Sequence, residues 1–146
     1  MVYKILIGFK LEPIEPVSNK EFFVTLTFQN IGDSVFVGGR LGKFSISGKS
    51  STQKIIDDKL PKVPPININQ TVTIAKESFN FRESGSLWLH VAVKADDAVE
   101  VQHFQIADFN LGQEWSNMFL VRDQDLDTII KLLERIVNVL EKKEAK

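Results

Sequence analysis

The sequence predicts a mainly β protein, an antiparallel β-sandwich followed by one C-terminal amphipathic α-helix. Three observations predict it. Residues 21–29 read Glu-Phe-Phe-Val-Thr-Leu-Thr-Phe-Gln, with Phe22, Val24, Leu26 and Phe28 alternating against Phe23, Thr25, Thr27 and Gln29. A period of two sends one row to a core and the other outward. Further short runs rich in Ile, Val and Phe recur up to about residue 122, separated by turn residues and without a helical segment among them, which is the spacing of a sandwich. From residue 123 the apolar residues recur at helical spacing instead.

The elements follow in order. Ile5-Leu6-Ile7-Gly8-Phe9 is read as a first strand, because an apolar run this short cannot span a bilayer, which needs about 20 residues. The strand over 22–29 ends in Asn30-Ile31-Gly32-Asp33-Ser34, a turn cluster. Gly38, Gly39, Gly42 and Gly48 punctuate the next stretch, where short strands or bulges are expected at Val35–Val37 and Lys43–Ser47. Leu60-Pro61-Lys62-Val63-Pro64-Pro65 is expected to be a connection, since Pro lacks the N–H a central strand needs. Strand character resumes over Ile66–Lys76, with a turn at Asn69-Gln70. Glu83-Ser84-Gly85-Ser86 is a turn before a strand with Leu87, Leu89, Val91 and Val93 on one face. Ala95-Asp96-Asp97-Ala98 then reads as a hairpin loop, with Val99–Ala107 as the return strand and Trp115–Val121 as the last.

Residues 123–143 form the helix. Asp123, Asp125 and Asp127 stand where the helix dipole favours carboxylates, Asp125 is the expected cap, and Lys142 and Lys143 close the segment with the favourable sign. Its apolar positions, Leu126, Ile129, Ile130, Leu132, Leu133, Ile136, Val137, Val139 and Leu140, fill an arc of roughly 180°. Leu126, Ile129, Leu133, Ile136 and Leu140 also keep heptad a/d spacing, over only about two heptads, and the arc is wider than a two-stranded seam. The expected division is a sandwich over 1–122 and a helix over 123–146, either an extension of the same domain or an assembly element.

The sandwich portion, about residues 1–108, resembles the CARDB/APHP group of immunoglobulin-like domains. The resemblance is carried by the strand ending in Asn30-Ile31-Gly32, the Pro-rich crossover Leu60–Pro65 leading into Thr71-Val72-Thr73-Ile74, the strand Leu87-Trp88-Leu89-His90-Val91-Ala92-Val93 after the Gly85 turn, and the acidic residues Asp96, Asp97 and Glu100. Asn69-Gln70 departs from the Gly-containing turn of the group, and the C-terminal helix lies outside its pattern. What the resemblance implies is a seven-stranded sandwich of immunoglobulin-like topology that serves as an adhesion, spacer or binding module without catalysis.

Composition narrows the function classes. With no cysteine, thiolate metal sites, thiol nucleophiles and disulfides are absent. Residues 1–122 hold 13 basic and 13 acidic side chains and residues 123–146 hold 5 and 6, so nucleic-acid binding lacks its electrostatic basis. The polar side of the helix, including Asp127, Lys131, Glu134, Arg135 and Glu141, is mixed in sign and does not suit a membrane surface. No targeting segment is evident, so a cytoplasmic location is expected. Abundant Lys and Ile with no cysteine suit a thermophile.

No catalytic constellation stands out. Gly38-Gly39-Arg40-Leu41-Gly42 lacks the Gly-Lys-Ser/Thr ending of a phosphate loop, and there is no Gly-x-Ser-x-Gly elbow. His90 and His103, the only histidines, would face each other across a two-residue hairpin at Asp96-Asp97, but Val99/Val101 and Phe104/Ile106 fall on opposite parities, which signals a bulge that breaks this register. Asp96-Asp97 is read as a solvated turn, and Trp88, Phe104 and Trp115 as core aromatics. No cofactor or metal is called for. The expectation is a non-enzymatic protein-interaction module, self-associating into a homo-oligomer through Leu126, Ile129, Ile130, Leu133, Ile136, Val137 and Leu140. The alternative is a small-ligand or carbohydrate-binding sandwich. Solvent-facing aromatics on a sheet would favour the alternative, and burial of Trp88 and Trp115 would oppose it.

Overall fold

Alternating rows of branched and aromatic side chains form two facing sheets. A computed structural model of the chain describes residues 1–55, 57–105 and 114–144. The strands are β1 (Tyr3–Glu12), β2 (Phe22–Asn30), β3 (Gly39–Ser47), β4 (Thr52–Lys54), β5 (Lys62–Val63), β6 (Thr71–Phe79), β7 (Gly85–Ala95), β8 (Val101–Phe104) and β9 (Trp115–Val121), followed by α1 (Gln124–Glu144). One sheet has the order β6-β2-β1-β8. The other has the order β4-β3-β7-β9, with β5 also paired to β3. Placing strands 1, 2 and 6 against 3, 7 and 9 is the A-B-E against C-F-G arrangement of the immunoglobulin fold, so the chain is an immunoglobulin-like β-sandwich with a C-terminal helix.

The core lies between the sheets. In β2 the residues Phe22, Val24, Leu26 and Phe28 are buried, with their neighbours only half-covered, as the alternation predicts. Ile5 and Ile7 of β1 and Leu87, Leu89 and Val91 of β7 meet them. Phe22 sits 5.9–6.4 Å from Phe79, Phe81 and Phe119, centroid to centroid, and Trp115 stands edge-on to Phe9 at 5.7 Å. Such aromatic pairs add to what burial alone contributes.

Four expectations are corrected. The strand expected over Lys43–Ser47 is present and a bulge falls at Gly42, but the strand already begins at Gly39 and runs nine residues; Val35–Val37 is no strand and contributes only the Phe36–Ile66 bridge. The Pro-rich crossover carries a two-residue strand, Lys62–Val63, paired with Gly39 and Arg40 at the sheet edge, where Pro is tolerated. The segment after Ala98 does not return beside β7. It crosses to the other sheet as Val101–Phe104 and pairs in parallel with Tyr3–Leu6; Ile106 and Ala107 lie outside the described residues. The helix is capped by Asp123 rather than Asp125, with Oδ1 accepting from the Asp125 and Leu126 amides.

Candidate functional site

Only two residues separate helix α1 from the end of β9, and polar contacts fix its exit. Residues 16–18 run parallel beside Arg122: the Arg122 amide donates to Pro16 O and the Ser18 amide to Arg122 O, both at 2.8 Å. Ser18 Oγ accepts from the Gln124 amide at 2.9 Å, and Asn19 Nδ2 donates to Gln124 Oε1. The Arg122 guanidinium pairs with Glu15 and with Asp127, whose second carboxylate oxygen lies 3.1 Å from Lys131 Nζ. Asp127 is buried here. Arg122 first, then Lys131, holds its carboxyl below the usual carboxylate range. Asp127 thus departs from the polar, solvent-facing side on which the helical pattern sets it; its spacing of four from Lys131 is the sign of a pair that the sequence carries.

Beyond this clamp the helix is uncovered. Every residue from Lys131 to Lys143 is exposed. Leu126, Ile129, Leu133, Ile136, Val137 and Leu140 are 51–56% exposed, roughly what a lone helix leaves open, and only Ile130 is half-buried. The structure brings the seven predicted residues together on one helix and sets none of them into the sandwich core. No helix among the described residues is long and apolar enough to cross a membrane.

A second surface is the outer face of the β4-β3-β7-β9 sheet. Trp88 lies there, 45% exposed, with Met118 paired across the strand and Leu120 one repeat further. Trp115 is buried and Phe104 is half-buried, so the core assignment holds for Trp115 and fails for Trp88. Its position between Leu87 and Leu89 put Trp88 on the outward parity, a sign the sequence did carry.

Beside Trp88 is His90, half-buried, opposite Ser45 and Ser116. His90 Nε2 is 2.7 Å from Ser47 Oγ, Nδ1 is 2.8 Å from Ser116 Oγ, and Glu114 Oε1 lies 3.2 Å from Nδ1 and 3.1 Å from Lys43 Nζ. His90 does not face His103. The latter is buried on β8, opposite Ile5, and its Nε2 accepts from the Val93 amide at 3.0 Å. Among the described residues no group of three or more acidic or histidine side chains is arranged to hold a metal.

A serine against one imidazole nitrogen, with a carboxylate near the other, invites comparison with a nucleophilic triad. Such a triad also needs free N–H donors beside the serine to hold an oxyanion. The amides that follow Ser47 are occupied: Gly48 donates to Ser51 O, and Lys49, Ser50 and Ser51 donate to the Glu83 carboxylate. The Ser51 hydroxyl first, then these amides, holds the Glu83 carboxyl below its usual range.

Asp96 and Asp97 are exposed, as expected of a solvated turn, and Asp97 is also hydrogen-bonded. Asp97 Oδ2 accepts from the Tyr3 hydroxyl at 2.6 Å and Oδ1 from the Val99 amide at 3.1 Å, tying the turn to β1.

No family model matches the chain, and no curated protein matches it in sequence. Among solved structures, it is similar to the CARDB domain of the PF1109 protein from Pyrococcus furiosus, solved in complex with di-metal ions: 10% identity, covering 83% of this chain and 86% of that one, with a TM-score of 0.43. It is also similar to the structural-genomics target SoR45, with 13% identity, 85% and 88% coverage and a TM-score of 0.39.

Proposed function

We propose that this chain is a non-catalytic protein-interaction module that associates with copies of itself through α1. The observation that carries the reading is the uncovered apolar face of Leu126, Ile129, Leu133, Ile136, Val137 and Leu140, with Leu132 and Val139 beside it. Fully burying a Leu or Ile contributes roughly 1.5–3 kcal/mol, and the helix already covers half of each, which leaves about 1 kcal/mol per side chain. Two such faces brought together would offset an association cost of about 4–15 kcal/mol only if most of both is covered. A helix whose base is held by Arg122, Asp127 and Ser18 loses little orientational freedom on docking. Occupation of the amides after Ser47 supports the non-catalytic part of the reading. The balanced charge supports a protein partner rather than a nucleic acid or membrane. The reading needs no cofactor and places the protein in the cytoplasm.

Light scattering tests it on the intact chain, on a chain ending at Arg122, and on Leu133→Glu with Ile136→Glu. The expected result is an oligomer for the first and folded monomers for the others. A folded, monomeric intact chain overturns the reading.

The exposure of Trp88 favours a second reading, a small-ligand or carbohydrate site on the outer sheet face. Ser47, His90 and Ser116 would serve hydroxyl groups and Trp88 a ring face, next to a depression of about 370 Å³ lined by Ser47, Thr52, Lys54, Leu60 and His90. A saccharide titration followed by Trp88 fluorescence, with Trp88→Ala as control, tests it; unchanged emission removes it.

A further inference from the structure

The geometry points to Ser47 as a nucleophile that takes one acyl group from an activated ester and keeps it. The site is one of covalent modification, without turnover, and it stands apart from the self-association proposed above.

Alternation past the Gly42 bulge sends Ser45 and Ser47 of β3 to the outer face of their sheet. The register sets Ser45 opposite His90 and His90 opposite Ser116. Ser47 is thus the diagonal neighbour of His90 on one face, within reach of an aromatic side chain, and its Oγ lies 2.7 Å from Nε2. A neutral imidazole carries one N–H and one lone pair, so the two serines that flank the ring play different parts. Glu114 decides which. Its Oε1 lies 3.2 Å from Nδ1 and is held from its other side by Lys43 Nζ at 3.1 Å. A carboxylate oxygen this close repels a lone pair and favours a proton on the nitrogen it faces. Nδ1 therefore carries the proton and donates to Ser116 Oγ at 2.8 Å. Nε2 keeps its lone pair and accepts from the Ser47 hydroxyl. This is the tautomer in which an imidazole can take a proton from a serine.

Ser47 is open to reagents. It is half-buried and lines the depression of about 370 Å³ together with His90, Ile55 and Leu60. The two aliphatic side chains suit a short apolar acyl group. Ser47 Oγ attacks the ester carbonyl carbon as its proton passes to Nε2. The carbonyl re-forms as the bond to the leaving oxygen breaks, and that oxygen takes the electron pair and the proton from Nε2. The acyl group stays as an ester on Oγ. No amide pair meets the transient oxyanion, because Lys49, Ser50 and Ser51 donate to Glu83. One such donor is worth about 100–1,000-fold in rate. The first transfer is therefore slow, and hydrolysis of the acyl-serine, which passes through the same kind of oxyanion, is slow as well.

The test uses the full chain with p-nitrophenyl acetate. Peptide mass spectrometry maps the products before and after hydroxylamine, which cleaves serine esters and spares lysine amides. One acetyl ester on Ser47 is expected, formed about 100-fold or more faster than on the urea-unfolded chain. No ester on Ser47, or one formed equally fast on the unfolded chain, overturns the proposal. An ester on Ser116 instead overturns the choice of nucleophile. The ester is expected to persist after the reagent is removed, and its loss on standing overturns retention. His90→Gln is expected to slow acylation by about 100-fold; an unchanged rate overturns the role of the base. Ring-nitrogen NMR of His90 in the unmodified chain needs no variant: a proton on Nδ1 is expected, and a proton on Nε2 overturns the proposal. Glu114 is a positioning residue. Glu114→Gln is expected to shift the proton towards Nε2 and to slow acylation together, and a slower reaction with the tautomer unchanged overturns its role.

Discussion

Single residues anchor the places where the sheets are joined. Asn30 closes β2 with a buried side chain: Nδ2 donates to Ser34 O and Ile66 O, each at 2.9 Å, and Oδ1 accepts from the Gly32 amide at 3.0 Å. Asn30→Ala strips three bonds at once, while the Ile66 carbonyl keeps the Phe36 amide. A lost intramolecular hydrogen bond costs about 0.5–1.5 kcal/mol, so three cost about 1.5–4.5 kcal/mol. A loss of stability in that range is expected from urea unfolding, and a change within measurement error would show that the turn reorganises freely. Asp97 acts through its charge. The Tyr3 hydroxyl first, then the Val99 amide, holds its carboxyl below the ordinary value of 3.8, and the same contact raises Tyr3. Because the folded value lies below the unfolded one, the charged form adds stability above about pH 4 and that gain fades as pH falls through the folded value. Asp97→Asn is therefore expected to flatten stability against pH below about 4 while lowering it at neutral pH. Parallel acid limbs in both proteins would assign the acid sensitivity elsewhere, with Asp127 the next carboxylate to test.

At the scale of elements, strand β3 shows what alternation cannot convey. Its glycines look alike in sequence but stand in different surroundings. A Cβ on Gly39 would come within 1.9 Å of the Lys94 carbonyl oxygen, in the backbone of β7. On Gly42 it would meet only the Lys94 side chain, at 3.1 Å, and that chain is flexible. Gly39→Ala is thus expected to lose about 1–3 kcal/mol by overpacking, and Gly42→Ala much less. Thermal unfolding of the two variants compares them directly, and equal losses would contradict the packing at the β3–β7 pair. The strands with regular alternation, β2 and β7, were legible because both faces of each are set by local chemistry. The destination of β8 was not. Whether Val101–Phe104 pairs with β7 or crosses to β1 depends on tertiary contacts such as Tyr3–Asp97 and Val93–His103, between residues 94 and 10 positions apart. The change of parity near Gln102 signalled that a simple hairpin would fail, without showing where the strand goes. Likewise the apolar arc of α1 was legible, while its clamp was not, because Glu15 and Ser18 reach Arg122 and Gln124 from more than 100 positions away.

For the whole molecule, the sandwich and helix should differ in what holds them together. The sandwich buries an aromatic core of its own, including Phe22, Phe28, Phe44 and Trp115, so its stability is independent of protein concentration. The helix has good end charges and an Asp123 cap, but an isolated helix of this length is marginal in water and takes most of its stability from packing. If copies supply that packing, helix formation and association are linked, and each tenfold dilution withdraws about 1.4 kcal/mol per associating partner. Far-UV circular dichroism over a dilution series is therefore expected to lose helical signal at low concentration while the fluorescence of buried Trp115 holds steady. Heating a concentrated sample is expected to give two transitions, the first moving to higher temperature with concentration and the second fixed. The clamp sharpens this expectation. Ser18, Arg122 and Asp127 secure only the first turn, so the signal lost on dilution should come from residues beyond Lys131. Amide exchange should locate it there, with Asp127 and its neighbours staying protected. Helical signal and exchange protection that persist unchanged at every concentration would mean that α1 stands alone, and its apolar face would then need an explanation other than a second copy.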